Sequence, residues 1–323
     1  MSINWQPTAD IDILKRRAQL LADVRLFFAQ RNVLEVETPI LSSAAPTAPY
    51  LDSFQTDFIP LGTQEKQTYY LQTSPEFTMK RLLAAGSGSI YQIAKVFRNG
   101  EIGRQHSPEF TMLEWYRPEL NFDQLMAEID DLLQLTAKTK PAEKFSYQDV
   151  FQQHLKVDVF TCTDDALKQL AKIHIEGADD SWLMNRDDCL ELLMSHVIEP
   201  KLAEMHSPVF IYDFPASQSQ LAKTDKDKNN NDVAKRFELY AGGMELANGY
   251  DELLDADELR HRFKQDNQQR KQQNKTPMPI DENLLVAMKA GLPQCTGVAL
   301  GLDRLMMLVT GQGKVTDVQS FGF

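Results

Sequence analysis

The run "SIYQIAKVFRNGEIGRQHSPEFTMLEWYR", residues 89–117, constrains the fold of this chain more than any other feature. Two segments rich in β-branched and aromatic residues, "SIYQIAKVFR" and "PEFTMLEWYR", flank a polar loop of about nine residues, which predicts an antiparallel ribbon. Period-2 alternation sets Phe110, Met112, Glu114 and Tyr116 on one face, with Arg98 on the partner strand able to point to the same cleft. A second hairpin is predicted in "RFELYAGGMELANGY", turning at Gly242-Gly243. Such strands interleaved with helices belong to the α+β class.

Helical spacing of Ile13, Leu14, Leu20, Leu21, Val24, Phe27 and Phe28 predicts a helix within residues 10–31, followed by the strand-like "NVLEVETPIL", which stops at Pro39. "YYLQTSPEFTMKRLLAAG" reads as strand into helix, with Ser74 as N-cap, Pro75 at the first helical position and Gly86 at the end. Residues from about 120 to 205 read as a mostly helical scaffold without evident chemistry. Beyond them come a strand, "PVFIYDFP", and a stretch expected to be a mobile polar loop, "SQSQLAKTDKDKNNNDVAK". After the second hairpin, a charged helix from Ala256 leads to the linker "TPMPI", then strand "TGVALGL" and helix "DRLMMLVTG".

Composition excludes several classes. With 42% hydrophobic and 25% charged residues in 323, the chain is globular. It has no apolar run of about 18 residues and no signal-peptide pattern, so the expectation is a cytoplasmic protein without a membrane span. Cys162, Cys189 and Cys295 are odd in number and far apart, and are expected to be reduced core residues. A net charge of −12 disfavours non-specific binding of nucleic acid.

Three constellations carry chemistry. In the second hairpin, a Gly-Gly turn pairs Ala241 with Met244 and Tyr240 with Glu245, so Glu238 and Glu245 share a face as diagonal neighbours. They can share a Mg2+ ion, whose remaining positions water and phosphate oxygens fill, or they form a solvated acidic face. In the first ribbon, Arg98 can clamp phosphate, Phe110 can stack on a base, and Glu114 with Tyr116 can receive an ammonium group; the alternative is that Glu114 pairs with a neighbouring cation. In "GVALGLDRLMML", Gly301 admits close approach of a ligand, Asp303 can cap the helix, and Arg304 in its first turn favours an anion or serves a structural ion pair. Together they point to a nucleoside triphosphate.

Taken in order, "FFAQRNVLEVETPIL", "VFRNGEIGRQHSPEF" and "GVALGLDR" resemble motifs 1, 2 and 3 of class II aminoacyl-tRNA synthetases. "TSPEFTMKRLL", "EFTMLEWY" and "GGMELANGYDEL" are similar to the lysine-pocket segments of the lysyl branch. Motif 1 begins near residue 25, which leaves no room for an anticodon-binding domain, and the whole chain, 1–323, reads as one catalytic domain. The nearest resemblance is to the elongation factor P lysine ligase family, whose members acylate a protein lysine.

That resemblance implies an antiparallel sheet flanked by helices, a homodimer through motif 1, ATP with Mg2+, and elongation factor P as acceptor of lysine or β-lysine. It implies that Arg98 and Arg304 are catalytic, and that ATP also meets Asn99, Gly100, Glu101, His106, Ser107, Phe110, Glu245, Leu246 and Gly301. The amino acid would meet Ser74, Pro75, Glu76, Glu114, Tyr116, Asn248, Tyr250, Glu252 and Ala299, and Glu238 with Glu245 would hold the metal. Two departures bear on specificity: Ala299 stands where the synthetases have glycine, and Ser74 stands for a small apolar residue. In motif 2, Gly100 occupies the usual glutamate position with Glu101 next, and Ser107 replaces an asparagine. A minimal lysyl-tRNA synthetase and a catalytically inactive amino-acid sensor remain as rival readings, separable by tRNA charging and pyrophosphate exchange.

Overall fold

A computed structural model describes residues 5–179 and 185–323. Residues 1–4 of the N-terminal stretch and 180–184 of the expected helical scaffold lie outside the described residues. In chain order the elements are α1 (Ile11–Ala29), β1 (Leu34–Glu35), β2 (Leu41–Ser42), β3 (Gln55–Phe58), β4 (Gln67–Leu71), α2 (Glu76–Ala84), β5 (Ile90–Phe97) and β6 (Glu109–Arg117). There follow α3 (Phe122–Ala137), β7 (Glu143–Ser146), α4 (Tyr147–Leu155), α5 (Asp164–His174), α6 (Arg186–Leu193), α7 (Glu199–Leu202), β8 (Val209–Pro215), β9 (Thr224–Lys226), β10 (Asp232–Ala241) and β11 (Met244–Asp251). The chain closes with α8 (Ala256–Gln272), α9 (Glu282–Gly291), β12 (Thr296–Gly301) and α10 (Leu302–Thr310).

The chain divides into two compact units, one running to Asn121 and resuming at Leu253–Phe323, the other Phe122–Glu252. Both have antiparallel-dominated sheets with helices, which is the α+β class. No described helix is long and apolar enough to cross a membrane.

In the first unit the strand order is β1-β5-β6-β12, with β1 parallel to β5 and the other pairs antiparallel. Strand β6 is paired on both edges, and everything from Thr111 to Arg117 is buried. Its alternation therefore separates two buried faces. The odd positions Leu113 and Trp115 join the core, where Phe28 of α1 stacks on Tyr91 at 4.4 Å and meets Trp115 edge-on at 5.3 Å. The even positions Met112, Glu114 and Tyr116 form the other face, on which a carboxylate stands without leaving the protein interior. Helix α2 starts one residue later than expected, with Pro75 as N-cap. The Ser74 hydroxyl still accepts the Glu76 N–H at 3.0 Å, and Gly86 takes the left-handed turn (φ +88°) after the helix. Helix α9, to which the sequence reading assigns no element, is capped by Asp281 and buries Leu284, Leu285 and Met288.

The second unit has the order β11-β10-β8-β7, with β9 also on β10. Its helical part is packed round Tyr147, Phe151, Leu190, Leu193, Ile211 and Phe214. The stretch expected to be a mobile loop is in part a hairpin: β9 pairs with β10, and the Asp227 carboxylate gathers the N–H groups of Asn229 and Asn231 to make the turn. Alternation is masked there by a run of charged and polar residues, so only strand pairing reveals it. The hairpin at Gly242-Gly243 forms as expected, both glycines having positive φ (+58° and +74°), as a type I′ turn requires. Tyr240 faces Glu245, but the ladder then slips by one residue. An unbroken ladder would set Glu238 against Ala247; a bulge at Leu246 sets it against Asn248.

Of the three cysteines, Cys189 and Cys295 are buried and Cys162 is half-buried, all as free thiols.

Candidate functional site

In the first unit, the ribbon β5-β6 and its loop carry most of the expected residues. Glu114 is buried at the middle of β6, directly opposite Gln92 on β5 and Ala299 on β12. Its two oxygens each accept a hydroxyl hydrogen bond at 2.7 Å, one from Tyr116 two residues along the same face and one from Ser74 at the mouth of α2. Burial pushes the Glu114 carboxyl up to about 7, the charge of Glu76 adds to the rise, and the Tyr116 and Ser74 hydrogen bonds and Lys80 oppose it. Glu76, in the first turn of α2, accepts from Lys80 at 2.6 Å, one turn further on. Lys80 is only 1% exposed, a buried cation paired with the half-buried Glu76 and near enough to the buried Glu114 to oppose the rise of its pKa. This partner is absent from the sequence reading, although i,i+4 spacing on the helix points to it.

Ala299 packs with Phe110 against Ala94, Val96 and Met112. Its methyl thus has neighbours of its own while standing opposite the carboxylate.

The loop after β5 begins with Arg98, whose backbone N–H still bonds Pro108 across the ribbon. The Arg98 guanidinium lies 5.1 Å from the Phe110 ring centroid and 3.7 Å from Glu101. Asn99 is anchored through its N–H to the Asp52 carbonyl at 2.8 Å. Gly100 has φ +89°, a conformation that a glutamate there would adopt only under strain; the carboxylate stands one residue later, on Glu101. Two buried polar atoms in this region have no hydrogen-bond partner, the Arg98 Nε and the Ser107 Oγ. Buried polar atoms of this kind are ordinarily completed by water, an ion or a ligand.

At the loop's far side, Arg304 donates to the Gln105 carbonyl at 3.3 Å and lies 2.7 Å from His106 Nε2. An arginine has only donors, so His106 must offer a bare Nε2. Burial lowers the His106 pKa, and the Arg304 charge lowers it further. Helix α10 starts at Gly301 without a side-chain cap. The expectation that Asp303 caps it is corrected: the Asp303 carboxylate turns to strand β6 and accepts the Thr111 N–H at 3.1 Å. At Gly301 an added Cβ would meet only the Arg304 side chain, at 3.7 Å, so no steric demand within the unit calls for glycine.

In the second unit, Glu238 on β10 and Glu245 on β11 share a face, as expected, with Asn248 beside them. Glu238 is buried; one oxygen pairs with the Arg236 guanidinium and the other accepts from the Tyr240 hydroxyl. Burial pushes its carboxyl up, Arg236 opposes, and the nearby Glu245 charge raises it again. Arg236 spreads its remaining donors over the Asn248 amide oxygen (3.3 Å) and the Gln218 carbonyl (3.1 Å) and rests 4.4 Å from the Phe214 ring centroid. Arg236 and Tyr240, missed in the sequence reading, follow from the same period-2 face as Glu238. Tyr250 donates to Gln220, Glu252 is buried and bridged to Ala222, and Leu246 is buried at the bulge. Among the described residues no three His, Cys, Asp or Glu side chains cluster as a metal site.

The first unit thus holds a buried carboxylate with two hydroxyl donors, an arginine-bearing loop with two unpartnered polar atoms, and an arginine in a helix's first turn. The family model for class II tRNA synthetases (D, K and N) matches residues 6–323, and the chain belongs to that family. More particularly, it is 49% identical over 319 residues to an elongation factor P–(R)-β-lysine ligase of Haemophilus influenzae, covering 98% of this chain and 97% of the relative. It is similar at 48% over 318 residues to the ligase of the same name from Salmonella paratyphi B, with the same coverage. At 47% over 324 residues it is similar to that from Histophilus somni, covering 99% of this chain and 98% of the relative.

Proposed function

We propose that this chain is an ATP-dependent ligase that activates (R)-β-lysine as an acyl-adenylate and transfers it to the ε-amine of a lysine on elongation factor P. The observation that carries the reading is Glu114, a buried carboxylate held by Ser74 and Tyr116 opposite Ala299. A cationic amine would relieve its desolvation.

In the first half-reaction a substrate carboxylate oxygen attacks the α-phosphorus of ATP and pyrophosphate leaves. Arg98 and Arg304 would take up charge on the phosphates, with Phe110 against adenine and the Arg98 Nε and Ser107 hydroxyl supplying the donors they now leave unfilled. Asn99, Gly100, Glu101, His106 and Gly301 would line the nucleotide. Ser74, Pro75, Glu76, Glu114, Tyr116 and Ala299 would receive the amino acid. In the second half-reaction the lysine ε-nitrogen attacks the adenylate carbonyl, AMP leaves, the nitrogen loses a proton, and an amide forms.

Glu238 and Glu245 suit a divalent cation in charge terms: burial pushes the Glu238 carboxyl up, Arg236 opposes it and the Glu245 charge adds to the rise, so a second cation would relieve both burial and repulsion. Two carboxylates match the habit of Mg2+ of completing its octahedron with water and phosphate oxygens. Bound there, the ion would neutralise charge on the phosphates. The exposed Leu26, Leu34, Ile40 and Leu41 support a homodimer through the motif 1 segment.

The test is to mix the protein with ATP, each lysine isomer and elongation factor P, and to weigh the acceptor. A gain of one lysyl group, greatest with (R)-β-lysine, is expected. An acceptor unchanged in mass with every isomer refutes the proposal.

A further inference from the structure

Asp303, the residue before Arg304, is 2% exposed and serves as a junction. One carboxylate oxygen accepts the Thr111 N–H of β6 at 3.1 Å and the Gln319 side-chain amide at 2.9 Å. The other forms an ion pair with Arg17 of α1 at 2.6 Å. Arg17 also donates to the Thr111 hydroxyl at 2.8 Å and to the Val318 carbonyl at 3.4 Å. Gln319 donates to the Glu109 carbonyl at 3.2 Å as well, so it holds β6 on the other side of Phe110. The same C-terminal segment reaches the loop after β5: Arg104 donates to the Gly313 carbonyl at 2.8 Å, and its own carbonyl accepts the Val315 N–H at 2.9 Å.

We infer that Arg17 and Gln319 are positioning residues for ATP: through Asp303 they fix the first turn of α10, and hence Arg304, at a set place on the strand that carries Phe110. The inference rests on the reading of Arg304 and Phe110 as nucleotide contacts. Four polar contacts converge on Asp303 and Thr111 from elements that are otherwise far apart in sequence, and both residues are neighbours in the chain of a proposed ATP contact. A side chain must be held to well under 1 Å for its charge to follow a developing transition state, and a 1 Å misplacement can cost roughly a hundredfold in rate. In contrast, Glu114, the proposed amine contact, takes its two hydroxyl partners from Ser74 and Tyr116. Loosening the clamp should therefore be felt by ATP and not by the amino acid.

The experiment compares KM for ATP with KM for (R)-β-lysine in ATP–pyrophosphate exchange for Arg17→Met, Arg17→Lys and Thr111→Val, with direct ATP binding by calorimetry alongside. Arg17→Met leaves Asp303 uncompensated and can unfold the protein, so Arg17→Met/Asp303→Asn, which buries no lone charge, is measured with it. Expected is a rise of roughly tenfold or more in KM for ATP in Arg17→Met and in the double variant, a smaller rise in Arg17→Lys and Thr111→Val, and KM for the amino acid within about twofold of wild type. Equal rises in both KM values, or a loss of rate that follows the melting temperature with both KM values unchanged, overturns the inference. Arg304→Ala separates the two levels. If it loses ATP while the Arg17 variants keep it, the clamp alone is wrong; if it keeps ATP, the nucleotide reading of Arg304 is wrong and the clamp falls with it. If wild type exchanges with no lysine isomer, the amino-acid reading fails and calorimetric ATP affinity still decides the clamp.

Discussion

Replacing Glu114 by glutamine should stabilise the empty protein above neutral pH while removing its activity. The Glu114 carboxyl is fully inside the protein, and its pKa stands at about 7 against an ordinary 4.5. That rise of roughly 2.5 units corresponds to about 3 kcal/mol between the two protonation states. For a carboxylate raised by folding the sign is the reverse of the common case. The folded state favours the proton, so the stability contribution is fully present below pH 4.5 and is lost as pH climbs through 7. Glutamine has no charge to bury, and its amide can accept from one of the Tyr116 and Ser74 hydroxyls and donate to the other. The assay is thermal unfolding of wild type and Glu114→Gln, without substrates, at intervals from pH 4.5 to 8. The two should nearly coincide at the acid end, and the variant should gain about 3 kcal/mol relative to wild type by pH 8, roughly 5 °C or more in melting temperature. Groups common to both proteins cancel in the difference. A gap that does not change with pH, or a variant less stable at pH 8, would refute the reasoning.

The remaining expectations concern specificity, the metal and packing. Ala299→Gly should raise kcat/KM for α-lysine relative to β-lysine by roughly tenfold, since one methyl in a pocket is worth about 1–3 kcal/mol; an unchanged isomer ratio would leave Ala299 with its packing role against Ala94, Val96 and Met112 and make Ser74 the next candidate. Glu245→Gln should lower lysine-dependent pyrophosphate exchange by roughly a hundredfold or more with the circular-dichroism spectrum unchanged, and exchange at the wild-type rate would sink the metal role. Gly249→Ala should cost about 1–3 kcal/mol, because its Cβ would lie 2.3 Å from the Phe237 ring, itself packed at 5.5 Å against Phe210. An unshifted urea midpoint would show that the ring can move aside.

Much of this was legible without coordinates because its causes are local. A two-residue period needs only five or six residues to declare itself, and it placed Phe110, Met112, Glu114 and Tyr116 on one face of β6. The Gly-Gly turn needs only two positive φ angles, and it fixed the pairing of Tyr240 with Glu245. Family resemblance rested on motifs of eight to fifteen residues, each read within itself. What the sequence left open depends on contacts between segments that no local pattern reports. The bulge at Leu246 is a one-residue slip, set by the strands on either side of the hairpin, and it moved Asn248 opposite Glu238. Ser74 donates to Glu114 across 40 residues of chain, and that contact decides how the carboxylate is dressed. Asp303 looked like a helix cap because an acid at a helix start usually is one. Only packing could show that it turns instead to Thr111, Gln319 and Arg17, since a buried carboxylate is drawn to whatever donors the fold brings within reach, and those donors come from three widely separated parts of the chain.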